Sequence, residues 1–180
     1  MKKLQIFLIL PLLFSINAYS QDLEGRKIVN ADLNLLILKN NGDAVSQFNT
    51  TLLYGKIKPN NTYLSYGFKL GFTHNLENQP SMFALGPAIE TGKFVKLVDK
   101  LYLSPYLGGS VQGVSIDGFG VNLSGYAIPI RFLYDFSNHF MLSASFGSAS
   151  MNLNLNSQYT IFSLNGSLTN NSSIGVFYSL

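Results

Sequence analysis

Apolar side chains in this sequence recur at every second position, and this alternation constrains the fold more than any other feature. In Leu64–Phe72 the even positions carry Leu, Tyr, Phe, Leu and Phe, while the odd positions carry Ser, Gly, Lys and Gly. A period of two places one set of side chains on each face of a strand, whereas glycine and serine would weaken a helix. The same pattern occurs in Val29–Ile37, Tyr126–Tyr134 and Ile174–Leu180. We therefore predict an all-β chain.

Three short turn signals divide the chain at regular intervals. Lys58–Asn61, Val98–Lys100 and Ser137–His139 have centres 39 residues apart, and the same interval leads back to residue 21 and forward to residue 177. This spacing predicts four units, each with two strands joined by a longer polar loop. Eight antiparallel strands in up-and-down order follow, with both chain ends beside the short turns. The longer loops are predicted at Asn40–Ala44, His74–Ser81, Ser115–Gly120 and Asn152–Gln158.

The two strand faces favour a transmembrane barrel over a soluble barrel or a sandwich. Only 12% of the residues are charged and 47% are hydrophobic. One face is rich in Gly, Ser and Ala, which suits a narrow interior, while the other is broad and aromatic and would aggregate in water. In Tyr126–Tyr134 this outer face is predicted to carry Tyr126, Ile128, Ile130, Phe132 and Tyr134. Interfacial aromatic girdles are predicted from Tyr54, Tyr63, Phe72, Phe83, Tyr134, Phe136, Phe140 and Tyr178.

The first twenty residues have the pattern of a cleaved signal peptide. Lys2 and Lys3 precede an apolar run over Leu4–Phe14, and Ala18-Tyr19-Ser20 offers small residues for cleavage before Gln21. The run is too short to cross a bilayer as a helix. We predict residues 1–20 as the signal peptide and residues 21–180 as one outer-membrane barrel domain. Removing two of the 12 basic residues leaves 10 against 9 acidic ones, so nothing in the net charge favours a nucleic-acid partner.

Two features do not fit regular strands. Pro87, Pro105 and Pro129 lie inside predicted strands, and proline has no N–H to donate to a neighbour. We expect bulges or unpaired carbonyls there. The strand Val45–Ile57 has an ambiguous facing, because Leu52 and Leu53 are adjacent and both apolar.

Few residues in the sequence could carry chemistry. The chain has no Cys, and its two histidines, His74 and His139, fall at opposite ends of the predicted barrel. They are therefore separated by a membrane-spanning band of about 25 Å and cannot share a serine-hydrolase site. No residues have metal-ligand spacing, and no glycine-rich turn leads into a helix to hold phosphate. We predict no catalytic, cofactor or metal site.

Four charged residues are predicted to point into the lumen at similar heights. They are Asp32, Lys69, Glu90 and Arg131, one on each of four strands, and their charges sum to zero. An unpaired buried charge costs several kcal/mol, so a paired cluster that plugs the lumen is one interpretation. On that interpretation Glu90 reaches Lys69 on the neighbouring strand, and Arg131 crosses the lumen to Asp32 or Glu90. The other is that water solvates each charge separately.

Several motifs resemble the porin-like outer-membrane β-barrel family of small exported bacterial proteins. They are Phe83–Pro87 with its Leu-Gly-Pro, Leu101–Pro105, the block Arg131–Gly147 with Phe140–Gly147 (FMLSASFG), and the closing Ile174–Leu180 (IGVFYSL). The resemblance covers residues 45–180. It implies a location in the outer membrane and, in most members, no defined chemistry. Leu180 departs from the aromatic final residue that such barrels favour, which affects recognition by the assembly machinery.

The sequence thus predicts an eight-stranded, up-and-down outer-membrane barrel. An eight-stranded barrel is narrow enough for side chains to fill. We expect a non-enzymatic structural or surface-contact protein, monomeric, without cofactors, in contact with outer-membrane lipid and with the barrel-assembly machinery during insertion. The alternatives are a small conducting or solute-translocating porin-like barrel and, behind it, a lipid-modifying enzyme.

Overall fold

A computed structural model describes residues 23–40, 43–75, 81–115, 119–137, 139–156 and 160–180. The predicted signal peptide lies outside these residues. Eleven strands and a short 3-10 turn at Pro59–Asn61 make up the described chain. The strands are β1 Lys27–Asn40, β2 Asp43–Ile57, β3 Thr62–Asn75, β4 Met82–Lys93, β5 Val95–Val98, β6 Leu101–Leu103, β7 Tyr106–Ser115, β8 Phe119–Ile128, β9 Ile130–Ser137, β10 Phe140–Asn156 and β11 Thr160–Ser179.

The strands form one antiparallel sheet that closes on itself. Eight of them pair in the order β1-β2-β3-β4-β7-β8-β10-β11, and β11 pairs again with β1 to complete a barrel-like ring. The remaining three, β5, β6 and β9, continue β4, β7 and β8 toward the short turns and pair with one another and with β10. The predicted all-β, antiparallel architecture is therefore confirmed, with three of the long strands interrupted. No helix in the described part of the chain is long and apolar enough to cross a membrane.

Each of the three prolines coincides with a break in pairing. The β4–β7 ladder is interrupted between Leu85 and Ala88, on either side of Pro87. Pro105 separates β6 from β7, and Pro129 separates β8 from β9. A missing N–H explains the interruptions, since proline cannot complete a ladder hydrogen bond.

Pro129 also changes which side chains face inward. Tyr126 and Ile128 pack against the buried core, whereas Ile130, Phe132 and Tyr134 are exposed. The prediction of one apolar face across Tyr126–Tyr134 is therefore wrong, because one extra residue at a bulge moves the following side chains to the opposite face. On the neighbouring strand, Gly147 has a positive φ of 72° at the corresponding break in the β10 pairing.

The strands extend further into the predicted longer loops than expected. Strand β2 begins at Asp43, β3 reaches Asn75, β8 begins at Phe119 and β10 reaches Asn156. The predicted loop bounds are therefore wrong for residues such as Asn152–Asn156. Polar side chains are compatible with a strand here, because Asn152 points into a polar cavity rather than an apolar core.

The facing of β2, which the sequence left open, is resolved. Leu52 is 57% exposed, whereas Leu53 is fully buried. Outward positions on this strand are therefore even-numbered, with Leu52 and Tyr54 on the exterior.

The apolar core lies inside the ring at the short-turn end. Its side chains come from strand ends next to the turns, and they interdigitate across the lumen rather than between layers. They are Leu23, Ile28, Ile57, Tyr63, Phe94, Tyr102, Tyr106, Leu133, Met141 and Phe177. We call this packed region the plug.

Candidate functional site

A buried ion pair lies within the plug. Arg131 Nη1 is 3.0 Å from Glu90 Oε1, and the two side chains are 0% and 2% exposed. Arg131 stands on β9 just after Pro129, and Glu90 stands on β4, so the pair joins two strands that are not neighbours in the ring. The pair therefore joins, inside the lumen, two strands that β6 and β7 separate.

The hydroxyl groups of Tyr63 and Ser104 add hydrogen bonds to this pair, while Arg131 Nε has no hydrogen-bond partner among the described residues. Tyr63 donates to Glu90 Oε1 at 2.5 Å and accepts a hydrogen bond from Arg131 Nη2. Arg131 Nη2 also donates to Ser104 Oγ at 3.1 Å. Ser104 is held beside Arg131 by its own backbone, since its N–H donates to the Arg131 carbonyl at 2.7 Å. The charges are thus paired and hydrogen-bonded, as a desolvated ion pair requires.

Aromatic rings cover the guanidinium group. Its central carbon lies 3.8 Å from the ring centroid of Tyr106 and 4.7 Å from that of Phe177. A guanidinium group that faces aromatic rings gains cation–π attraction, which is larger away from water. Arg131 is therefore held by charge, by hydrogen bonds and by ring contacts at once.

Above the plug, the lumen holds a polar cavity of about 520 Å³. It occupies the half of the ring nearer the long-strand ends, and amide and hydroxyl side chains dominate its wall. These include Asn34, Gln47, Asn49, Thr51, Gln112, Asn122, Ser124, Ser148, Ser150, Asn152 and Asn165. We call this region the vestibule.

The structure separates the four predicted lumen charges into two groups. Glu90 and Arg131 form the ion pair, whereas Lys69 and Asp32 both line the vestibule. Lys69 Nζ lies 5.3 Å from the ring centroid of Tyr126, and Asp32 accepts a hydrogen bond from Asn30 at 2.9 Å. Among the described residues, neither Lys69 nor Asp32 forms an ion pair, and Glu90 contacts Arg131 rather than Lys69.

Sequence reasoning missed the partners of Arg131. Tyr63 was predicted in the exterior girdle, and that prediction is wrong, because its side chain is buried against Glu90. The alternation in β3 indicates the inward position of Tyr63, because the odd-numbered residues of this strand face inward. Ser104, Tyr106 and Phe177 carried no comparable signal, because their contacts with Arg131 depend on how strands meet across the lumen.

The two histidines lie at opposite ends of the ring. His74 Nδ1 is 2.8 Å from Ser81 Oγ at the long-loop end, and His139 Nδ1 is 3.0 Å from the Ser179 carbonyl at the short-turn end. Within the described ranges, no group of three His, Cys, Asp or Glu side chains is placed to hold a metal ion.

Comparison with known proteins gives little to add. No protein-family model matches the chain, and no curated protein matches it either. Among solved structures, the chain is similar to one described as "De novo design of transmembrane beta-barrels", with 13% identity and a TM-score of 0.38 over 87% of this chain and 97% of that one. This likeness is too distant to extend what the strands and side chains of the chain itself show.

Proposed function

We propose that this chain is a non-enzymatic outer-membrane barrel with a closed lumen and a structural or surface-contact role. The observation that carries the proposal is the apolar exterior of the ring. Large hydrophobic side chains are exposed on ten of the eleven strands, all except β6. They include Leu33, Leu52, Phe68, Leu85, Val98, Val111, Leu123, Phe132, Leu142 and Ile174.

Among the residues whose burial is described, exposed charges lie at one end of this exterior. Where burial is described, the exposed charged residues are Glu24, Lys27, Lys56, Lys58, Asp99 and Lys100, all beside the short turns or the start of β1. The strand centres present an uninterrupted apolar surface, far beyond the patches that monomeric soluble proteins expose. Lipid is the solvent that such a surface fits.

The interior shows the opposite character. Buried polar residues such as Asn30, Ser110 and Gln112 face inward, together with the Glu90–Arg131 pair. An apolar exterior around a polar interior is the arrangement of a transmembrane barrel. Export through a signal peptide and insertion into the outer membrane with the long-strand ends outside complete the proposal.

The plug supports a non-conducting protein over the porin-like alternative. The vestibule ends on Tyr106 and Glu90, and packed side chains fill the lumen below them. Planar-bilayer recordings of the refolded chain should therefore show no steady conductance. A stable single-channel current would favour the conducting alternative, and a change in membrane lipid masses on expression would favour the lipid-modifying enzyme.

Adjacent residues on β2 provide the sharpest test of membrane insertion. Leu52 points outward and Thr51 lines the vestibule, so arginine can be placed at one height on either face. Leu52→Arg should reduce the heat-modifiable, folded band in outer-membrane fractions, because arginine on the lipid face costs about 2–4 kcal/mol near the midplane.

Thr51→Arg is the matched control, because its charge enters a polar cavity beside Asp32. It should leave most of the chain folded and in the outer-membrane fraction. If Leu52→Arg inserts as well as Thr51→Arg does, or if the wild-type chain is recovered in soluble form, the exterior does not face lipid.

A further inference from the structure

The carboxylate of Asp32 is held in place yet incompletely paired. Its Oδ2 accepts a hydrogen bond from Asn30 Nδ2 at 2.9 Å. Its Oδ1 is buried and has no hydrogen-bond partner among the described residues. One carboxylate oxygen is thus fixed, and the other has no hydrogen-bond donor among the described residues.

Gly175 gives that oxygen room to approach the neighbouring strand. In the sheet Asp32 on β1 and Ser143 on β10 are both register partners of Gly175 on β11. A Cβ atom at Gly175 would lie 2.0 Å from Asp32 Oδ1 and 2.7 Å from Ser143 Oγ. The two oxygens therefore converge above the glycine, and they do so without hydrogen-bonding each other.

Further unpartnered oxygens lie two residues along β1 and β10 from Asp32 and Ser143. Asn30 Oδ1 and Ser145 Oγ, like Ser143 Oγ, are buried without a hydrogen-bond partner among the described residues. Asn30 is 1% exposed and Ser143 is 3% exposed. We call this group of oxygens beside Gly175, from Asn30, Asp32, Ser143 and Ser145, the oxygen recess. Carboxylate, hydroxyl and amide oxygens are the ligands that hard cations prefer.

Among the described residues, no basic side chain forms an ion pair with Asp32. Arg131 attracts the carboxylate only at a distance, because its direct partner is Glu90, and the Lys69 ammonium lies over the Tyr126 ring. A buried carboxylate without a cation in contact loses hydration that is not fully replaced, so a cation in the recess would stabilise it. Asp32 and Ser145 also line the vestibule, which provides a route from solvent.

We propose that the oxygen recess binds a small monovalent cation of the sodium type. A single carboxylate balances one positive charge, whereas protein sites for divalent cations usually gather several. The inference concerns the interior alone and does not depend on where the chain resides, so its test can fail while the membrane proposal stands.

Residues 21–180, the chain without its predicted signal peptide, are refolded in detergent micelles. The test measures their unfolding in urea from the intensities of the folded and unfolded gel bands. NaCl, KCl, CaCl₂ and N-methyl-D-glucamine chloride are compared at equal ionic strength. Sodium at tenfold its Kd should raise the midpoint by about 0.5 M urea relative to N-methyl-D-glucamine. Asp32→Asn and Ser143→Ala should each abolish or greatly reduce this sodium-dependent shift.

Two matched controls carry the same chemistry outside the recess. Asp135 Oδ1 and Ser65 Oγ are also buried without a hydrogen-bond partner in the described chain. Asp135→Asn and Ser65→Ala should therefore keep the full sodium-dependent shift. Sodium-23 NMR gives a second readout. The wild-type chain should broaden the sodium line, and Ser143→Ala should not. Ser143→Ala retains the Asp32 carboxylate, so this readout remains available if Asp32→Asn fails to fold.

Several results would overturn the proposal. Equal midpoints in all four salts would mean that the recess holds only water or a proton. If sodium shifts the midpoint equally in the recess variants and in the controls, the effect is general ionic screening. A shift produced by calcium alone, and lost in Asp32→Asn, would overturn the monovalent assignment.

Discussion

The same ring of strands encloses both halves of the lumen, but one half is packed and the other is hollow. In the plug, Tyr, Phe, Leu and Met side chains meet across the lumen and enclose the Glu90–Arg131 pair. In the vestibule, Asn, Gln, Ser and Thr side chains leave a cavity of about 520 Å³. Inward-facing side-chain size alone thus decides whether one ring is packed or hollow.

The difference also explains how each half treats its charges. Glu90 and Arg131 are fully desolvated, so their direct contact and the hydroxyl groups of Tyr63 and Ser104 are needed to offset the loss of hydration. Lys69 stands beside a cavity that water can enter, and no ion pair accompanies it among the described residues. Removing the Lys69 charge should therefore change stability little, whereas removing a charge from the plug should lower it.

Replacing each lumen cation with methionine should give the largest difference between the two halves. Arg131→Met leaves Glu90 buried without its cation and should lower the free energy of unfolding by about 3–5 kcal/mol. Lys69→Met replaces an ammonium that has no ion-pair partner among the described residues with a side chain of similar length, and should change it by less than about 1 kcal/mol. Urea unfolding followed by gel mobility measures both. Similar losses at the two positions would show that plug and vestibule are equally desolvated.

The second prediction concerns the coupling of Glu90 with Arg131. In a double-mutant cycle with alanine at each position, residues in direct contact should show a coupling energy of about 0.5–3 kcal/mol. The double variant should therefore be more stable than the sum of the two single losses implies. Strictly additive losses would mean that the two side chains are stabilised separately, each by its own hydrogen bonds.

Alternation predicted the strands because it depends on local geometry alone. The facing of Lys69, Glu90 and Arg131 followed from it, and so did the exterior belt. Their separation into the plug and the vestibule did not follow, since contacts across a closed ring depend on strand stagger. An irregularity at Pro129 was expected, but the change of facing after it was not, because Tyr126 and Ile128 are apolar in the plug just as Ile130 is apolar on the exterior.

Tyr63→Phe isolates the contribution of hydrogen bonding within the plug. The substitution removes only the hydroxyl group that donates to Glu90 and accepts from Arg131. A hydrogen bond to a charged group contributes about 1.5–3 kcal/mol, and the direct contact between Glu90 and Arg131 remains after both bonds are lost. We therefore expect a loss of about 2–3 kcal/mol in unfolding free energy, less than the sum of two such bonds. Tyr66→Phe, on the exposed face of the same strand, is the control and should be neutral. If Tyr63→Phe does not change the unfolding free energy, charge and ring contacts alone are sufficient to hold Arg131.

The smallest expected effect tests whether the vestibule is wet. Asn122 Nδ2 donates to Asn154 Oδ1 at 2.6 Å, and Ser104 Oγ accepts from Arg131 at 3.1 Å, so each residue contributes one side-chain hydrogen bond. Water can replace the lost partner in the vestibule but not in the plug, where an unsatisfied donor costs about 1–3 kcal/mol. Asn122→Ala should therefore lower the unfolding free energy by less than about 0.5 kcal/mol, and Ser104→Ala by about 1 kcal/mol or more. If Asn122→Ala is the more damaging change, water does not reach the vestibule wall, and the polar side chains there are a second packed network rather than the lining of a cavity.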